Sequence, residues 1–154
     1  MIGNKNIILL ILIGILLMTS FGVVSAQRRP KDKILDRKVF VVTMEHQTTK
    51  KKKLTPFAEE LTFRSNKLTP KHMRLSDAGG FQPGEYVITE KEEMLDEMIY
   101  QFQAINKNAK GMSLKWAGRI FGDQIEGTAT ISKKGKVKRE FGFTGAIKQK
   151  RKRK

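Results

Sequence analysis

Three successive runs between residues 113 and 147 alternate apolar or small side chains with polar ones, and this period of two restricts the fold more than any other feature. Leu114, Trp116, Gly118 and Ile120 alternate with Lys115, Ala117 and Arg119; Ile125, Gly127, Ala129 and Ile131 alternate with Glu126, Thr128 and Thr130. In the third run Val137, Phe141 and Phe143 share a face, and Lys138, Glu140 and Thr144 point the other way. Neighbouring side chains of a strand face opposite sides, so each run buries one face as part of a half-covered sheet. Gly122-Asp123-Gln124 and Lys133-Lys134-Gly135 join the runs as short turns, with glycine supplying the positive φ such loops often need. Strands are therefore predicted over residues 113–121, 125–132 and 136–147.

Upstream the pattern is weaker but of the same kind, with strands predicted over residues 39–45, 60–65, 72–75, 85–89 and 98–105. Residues 90–102 carry two patterns. Met94, Met98 and Phe102 recur at helical spacing, whereas Met98, Tyr100 and Phe102 alternate as in a strand; the segment is read as a short acidic turn of helix running into a strand. About eight short strands with tight connections predict an all-β fold, an up-and-down antiparallel barrel or a strongly curved open sheet. The chain contains no cysteine, which excludes disulfides, a thiol nucleophile and a thiolate metal site, so stability must come from packing.

The run WAGRIFGDQIEGTATISKKGKVKREFGFTG, with Trp116, Gly118, Gly122, Ile125, Gly127, Thr128, Gly135, Phe141, Phe143 and Gly145, resembles the closing strands of small secreted bacterial lipocalin-like proteins. The resemblance is strongest over residues 113–148. A Gly-x-Trp near the first strand, usual in lipocalins, is missing, since the single tryptophan lies late. What the resemblance implies is a calyx that holds an apolar ligand without catalysis.

The N-terminus sets the compartment. Lys5 precedes an apolar stretch over residues 7–18, a softer segment follows, and Val24-Ser25-Ala26 fits a small-residue cleavage site, so residues 1–26 are read as a signal peptide cleaved near Ala26 and the product as periplasmic or secreted. The alternative is an uncleaved membrane anchor, and Arg28, Arg29, Lys31 and Lys33 just after the apolar stretch favour a cytoplasmic domain in that case. Residues 27–38 are expected to be a flexible basic arm, 39–147 the β domain and 148–154 a disordered basic tail. The formal charge is +16, and loss of the leader removes only Lys5.

Two groups of residues are candidate sites. Tyr86, Phe102, Trp116, Phe141 and Phe143 either line a cavity for an acyl or isoprenoid ligand or pack the core. Lys50, Lys51, Lys52 and Lys53, the cluster Lys133, Lys134, Lys136, Lys138 and Arg139, and the tail Lys148, Lys150, Arg151, Lys152, Arg153 and Lys154 are candidate anion contacts. For an exported protein the partner is an anionic lipid or envelope polymer; for a cytoplasmic one it is nucleic acid, although no aromatic residue interleaves the tail to stack on bases. Glu90, Glu92, Glu93, Asp96 and Glu97 lack the spacing of a calcium loop, and His46 and His72 stand isolated, so no metal or other cofactor is expected. No Gly-x-Ser-x-Gly elbow or phosphate loop occurs, and the protein is expected not to be an enzyme.

Overall fold

The structure is a computed structural model that describes residues 32–47, 55–75, 80–94 and 96–149. The expected leader over 1–26, the lysines at 50–53 and the tail at 150–154 lie outside the described residues. The elements are β1 (Val39–His46), β2 (Phe57–Arg64), β3 (Lys67–Pro70), a short helix α1 (Lys71–Leu75), β4 (Gly84–Met94), β5 (Glu97–Lys107), β6 (Met112–Phe121), β7 (Gln124–Lys133) and β8 (Lys136–Ile147).

Each strand pairs antiparallel with the next, and β8 returns to β1 in register from Phe40↔Ile147 to His46↔Phe141, so one sheet closes on itself as an eight-stranded ring, a closed barrel in strand order. Closure leaves neither β1 nor β8 as a bare edge. The alternation then sorts the side chains. Phe40, Val42, Met44, Leu61, Phe63, Leu68, Tyr86, Phe102, Ala104, Leu114, Trp116, Ile120, Ile125, Ala129, Phe141 and Phe143 are buried inside. Outward positions of the same strands carry Thr43, Glu45, Gln103, Lys115, Arg119, Thr128 and Thr144. A transmembrane barrel would have the opposite arrangement, apolar outside and polar within.

Strands β6 and β7 pair Gly118 with Gly127. A Cβ on Gly127 would lie 2.2 Å from the Ala117 carbonyl oxygen and 2.8 Å from Cζ of Phe143, so the missing side chain is what lets that ring lie across the bend. At the β7–β8 turn Lys134 and Gly135 both have positive φ, 49° and 76°, the left-handed pair that two-residue hairpins favour.

The structure corrects three expectations. Residues 90–94 are not helical: β4 and β5 run on as a hairpin, with a bulge between Ile88 and Glu90, and Asp96 at φ 67° makes the turn. A helix there would need an apolar face with something to cover it, and its neighbours are solvent and carboxylates. Residues 72–75 were expected as a strand but belong to α1, while β3 just before them went unpredicted. Five residues are too few to separate the two periods, and the local outcome depends on a remote group, Glu59. The expected arm is ordered from Asp32: its carboxylate accepts the Ile34 and Leu35 amides at 2.9 and 2.8 Å, and Leu35 is buried beneath the ring.

Chain direction alternates around the ring and sorts the connections into two ends. The β1–β2, β5–β6 and β7–β8 connections, with the segment from β3 to β4, share one end. The β2–β3, β4–β5 and β6–β7 turns share the other, together with the entry at Val39 and the exit after Ile147.

Candidate functional site

All five aromatic residues singled out from the sequence lie in the interior, where they pack on one another and on neighbours the sequence did not single out. Trp116 meets Phe143 edge-on at 5.4 Å between ring centroids. Phe63 holds Tyr86 at 5.1 Å and Phe102 at 5.4 Å, also edge-on. Toward the end that carries the β7–β8 turn, Phe141 contacts Phe57 at 5.8 Å and His46 at 4.5 Å. Edge-to-face packing of this kind adds to the burial of each ring, so these residues contribute to stability whatever else they do.

Polar groups inside this apolar volume are tied to backbone or to one another. Asn106, fully buried on β5, donates from Nδ2 to the carbonyls of Leu68 and Gln82, both at 2.8 Å, and accepts from Trp116 Nε1 at 2.9 Å. Glu59, also fully buried, accepts the amides of His72 and Met73 at 2.8 Å each and caps the start of α1. The Tyr86 hydroxyl donates to Asp32 at 2.8 Å; burial first, then the neighbouring carboxylate, pushes its pKa far above the usual phenol value and keeps it a donor. Asn106 and Glu59 cannot be read as special from sequence, and Tyr86 stands out there only as an aromatic, because the groups they serve are 38, 14 and 54 positions away.

The surface is different at the β7–β8 end. Beyond Ile131 every residue from 133 to 140 is exposed, and five of them are cations: Lys133, Lys134, Lys136, Lys138 and Arg139. None makes an ion pair with another described residue. Lys133 and Lys136 sit directly opposite each other across the hairpin, an arrangement of like charges that costs stability in isolation. Arg139 pairs with Ile131 on the inward row, above Phe141. Its charge, after desolvation by burial, lowers the pKa of His46, so the imidazole in the throat is held neutral under a cationic rim. At the same end, the close of β5 and the β5–β6 turn add Lys107 and Lys110. The segment joining β1 to β2, which carries Lys50 to Lys53, also leaves and re-enters the ring here.

The ring therefore separates cationic residues that the sequence left as one group. Lys148 sits at the far end of β8, where its Nζ lies 2.6 Å from Oε2 of Glu60; this bond, with Lys71 and His72 nearby, lowers the Glu60 pKa despite partial burial. The acidic residues Glu90 to Glu97 form the tip of the β4–β5 hairpin at that far end, where Glu90 accepts from Gln101 at 2.6 Å. Among the described residues no three His, Asp or Glu side chains converge as a metal site, and no helix is long and apolar enough to cross a membrane. Comparison with family profiles, curated protein sequences and solved structures yields no match. Fold and surface alone thus define the class: a closed antiparallel barrel with an aromatic interior and one cationic end.

Proposed function

We propose that this protein is a non-catalytic exported barrel that binds anionic envelope components, lipid headgroups or polymer, through the cationic end formed by the β7–β8 hairpin and its neighbours. One observation carries the reading: five cations in seven consecutive exposed positions, none ion-paired among the described residues, with two lysines facing each other. Folding gains nothing from that concentration of like charge, whereas an anionic surface neutralises it. Each lysine near such a surface strengthens binding roughly fivefold at moderate salt. The aromatic residues supply the rigid core that holds the hairpin in place.

The test is sedimentation of the chain from Gln27 with phosphatidylglycerol-containing vesicles and, separately, retention on linear polyphosphate. Binding should weaken steeply with salt. Replacing Lys133, Lys134, Lys136 and Lys138 with serine should weaken it by at least about tenfold. Binding unchanged by those substitutions and by salt would refute the reading.

A second reading, the lipocalin-like one, is favoured by the thin junction of β3 with β4, two residue pairs only, beside Tyr86, Phe63 and Phe102. An apolar ligand entering there would displace interior rings, so saturable uptake of a fluorescent fatty acid with a change in Trp116 emission supports it. Absence of uptake across several lipid classes removes it.

A further inference from the structure

We infer that the barrel assembles head to tail with further copies of this chain, the acidic edge of β4 in one copy pairing with the basic edge of β8 in the next. The inference goes beyond the anion-binding reading and does not depend on it, because the anionic partner is the chain itself. It starts from two hairpins that run past the ring. Strand β4 pairs with β3 only at Gly84 and Glu85, yet it continues to Met94 against β5. Strand β8 pairs with β1 from Phe141 onward, yet it begins at Lys136 against β7. Among the described residues, no strand covers the β3 side of β4 from Val87 to Met94 or the β1 side of β8 from Lys136 to Arg139. In both hairpins the alternation of burial also stops: residues 89–94 and 136–140 are exposed on both faces. A row of unpaired main-chain groups of this kind is a template for another strand.

Charge selects the strand that fits. The β4 edge carries Glu90, Glu92 and Glu93, and the β8 edge carries Lys136, Lys138 and Arg139; none of these is ion-paired with another described residue. Each edge repels its own kind, which disfavours a symmetric pair of β4 with β4 or of β8 with β8. The spacing is the same in both, so a parallel register sets Lys136 beside Glu90, Lys138 beside Glu92 and Arg139 beside Glu93. An antiparallel register opposes two such pairs at most. The topology supplies the parallel direction, because β4 and β8 both run from the end with the β7–β8 turn toward the end with the β4–β5 turn. Two copies stacked on one axis bring β4 of the first beside β8 of the second in the same sense. The open sides of the two strands, toward β3 and toward β1, face opposite ways around the ring and so face each other across the junction. Main-chain bonds supply the affinity and the ion pairs fix the register. The contact uses different surfaces on the two copies, so each addition leaves one edge of each kind free and the assembly grows as a filament.

Sedimentation velocity tests this without lipid or polymer, on the nuclease-treated chain from Gln27, which keeps all of the compact unit that begins at Lys31. At low salt the average mass should rise with concentration past that of a dimer, and added salt should lower it. One variant carries Glu90→Lys, Glu92→Lys and Glu93→Lys; a second carries Lys136→Glu, Lys138→Glu and Arg139→Glu. Each alone has two edges of one sign and should associate at least about tenfold more weakly than the unaltered chain. Mixed in equal amounts they should assemble again, because each then offers the edge that the other lacks. Circular dichroism checks that both keep the β fold, and Glu90→Gln, Glu92→Gln and Glu93→Gln together give a milder form of the first variant with the same expected direction. A monomer at up to about 1 mM, or a mass that stops at a dimer, overturns the inference. So do variants that assemble alone as the unaltered chain does, and a mixture that stays monomeric. Any of these results leaves the anion-binding reading standing, since vesicle sedimentation of the same protein tests that reading separately.

Discussion

The two halves of the ring are built differently. From β5 to β8 the strands pair over long registers, ten residue pairs between β6 and β7 and a single register shift between Ile131 and Ser132 in β7–β8, and consecutive hairpins supply the pairing. From β2 to β4 the pairing thins to four residue pairs and then two, and a helix takes the place of missing strand. The first half is held by main-chain ladders and alternating side chains. The second is held by a few buried polar groups that reach across: Asn106 to the Leu68 and Gln82 carbonyls, and Glu59 to the start of α1. Closure of an up-and-down barrel therefore depends on its weakest seam, and here the seam is fastened by side chains from elsewhere.

The largest effect is expected at that fastening. Asn106→Ala removes the partner of the buried Trp116 Nε1 and two ties to the Leu68 and Gln82 carbonyls, and should cost about 2–4 kcal/mol in urea unfolding. A loss below about 1 kcal/mol would show that the seam does not depend on it. Glu59→Ala uncovers the first amides of α1 and should cost about 2–4 kcal/mol, with amide exchange accelerating in α1 and β3 before β6 or β7. If exchange quickens evenly around the ring, the halves are not distinct units of stability.

On the long-paired half the vulnerable point is backbone spacing. Gly127→Ala places a methyl group against the Ala117 carbonyl and the Phe143 ring, and should cost about 1–3 kcal/mol without selective exchange in α1. Smallest is a pH effect in the throat. The folded-state pKa of His46 lies below its unfolded value of 6.5, so the unfolded chain binds the proton more readily. Stability should be full above 6.5 and decline as pH falls from there toward the folded pKa. His46→Phe should flatten that slope in thermal melts between pH 7 and 5.

The same division separates what could be read in advance from what could not. Around β6, β7 and β8 the alternation placed the strands within a residue of their observed bounds and put Trp116, Phe141 and Phe143 on the inward face, because both signals are local. At β3 and α1 it failed, because Lys67–Leu75 is short and its conformation is settled by Glu59, a residue of another strand. The acidic hairpin misled for a related reason. Met94 and Met98 at helical spacing imply a face to be buried, but nothing packs there, and pairing with β5 wins.

For the candidate site the contrast concerns position more than identity. Lys133 to Arg139 and the tail were visible as basic runs, and the sequence alone determined their charge, the all-β fold class and the dependence on packing imposed by the lack of cysteine. Only the tertiary structure decided that the aromatic residues share one interior and that His46 lies under Arg139. The physical reason is range. Alternation and charge act between neighbours along the chain, whereas ring closure and buried polar ties join residues dozens of positions apart, and only the folded chain brings those together.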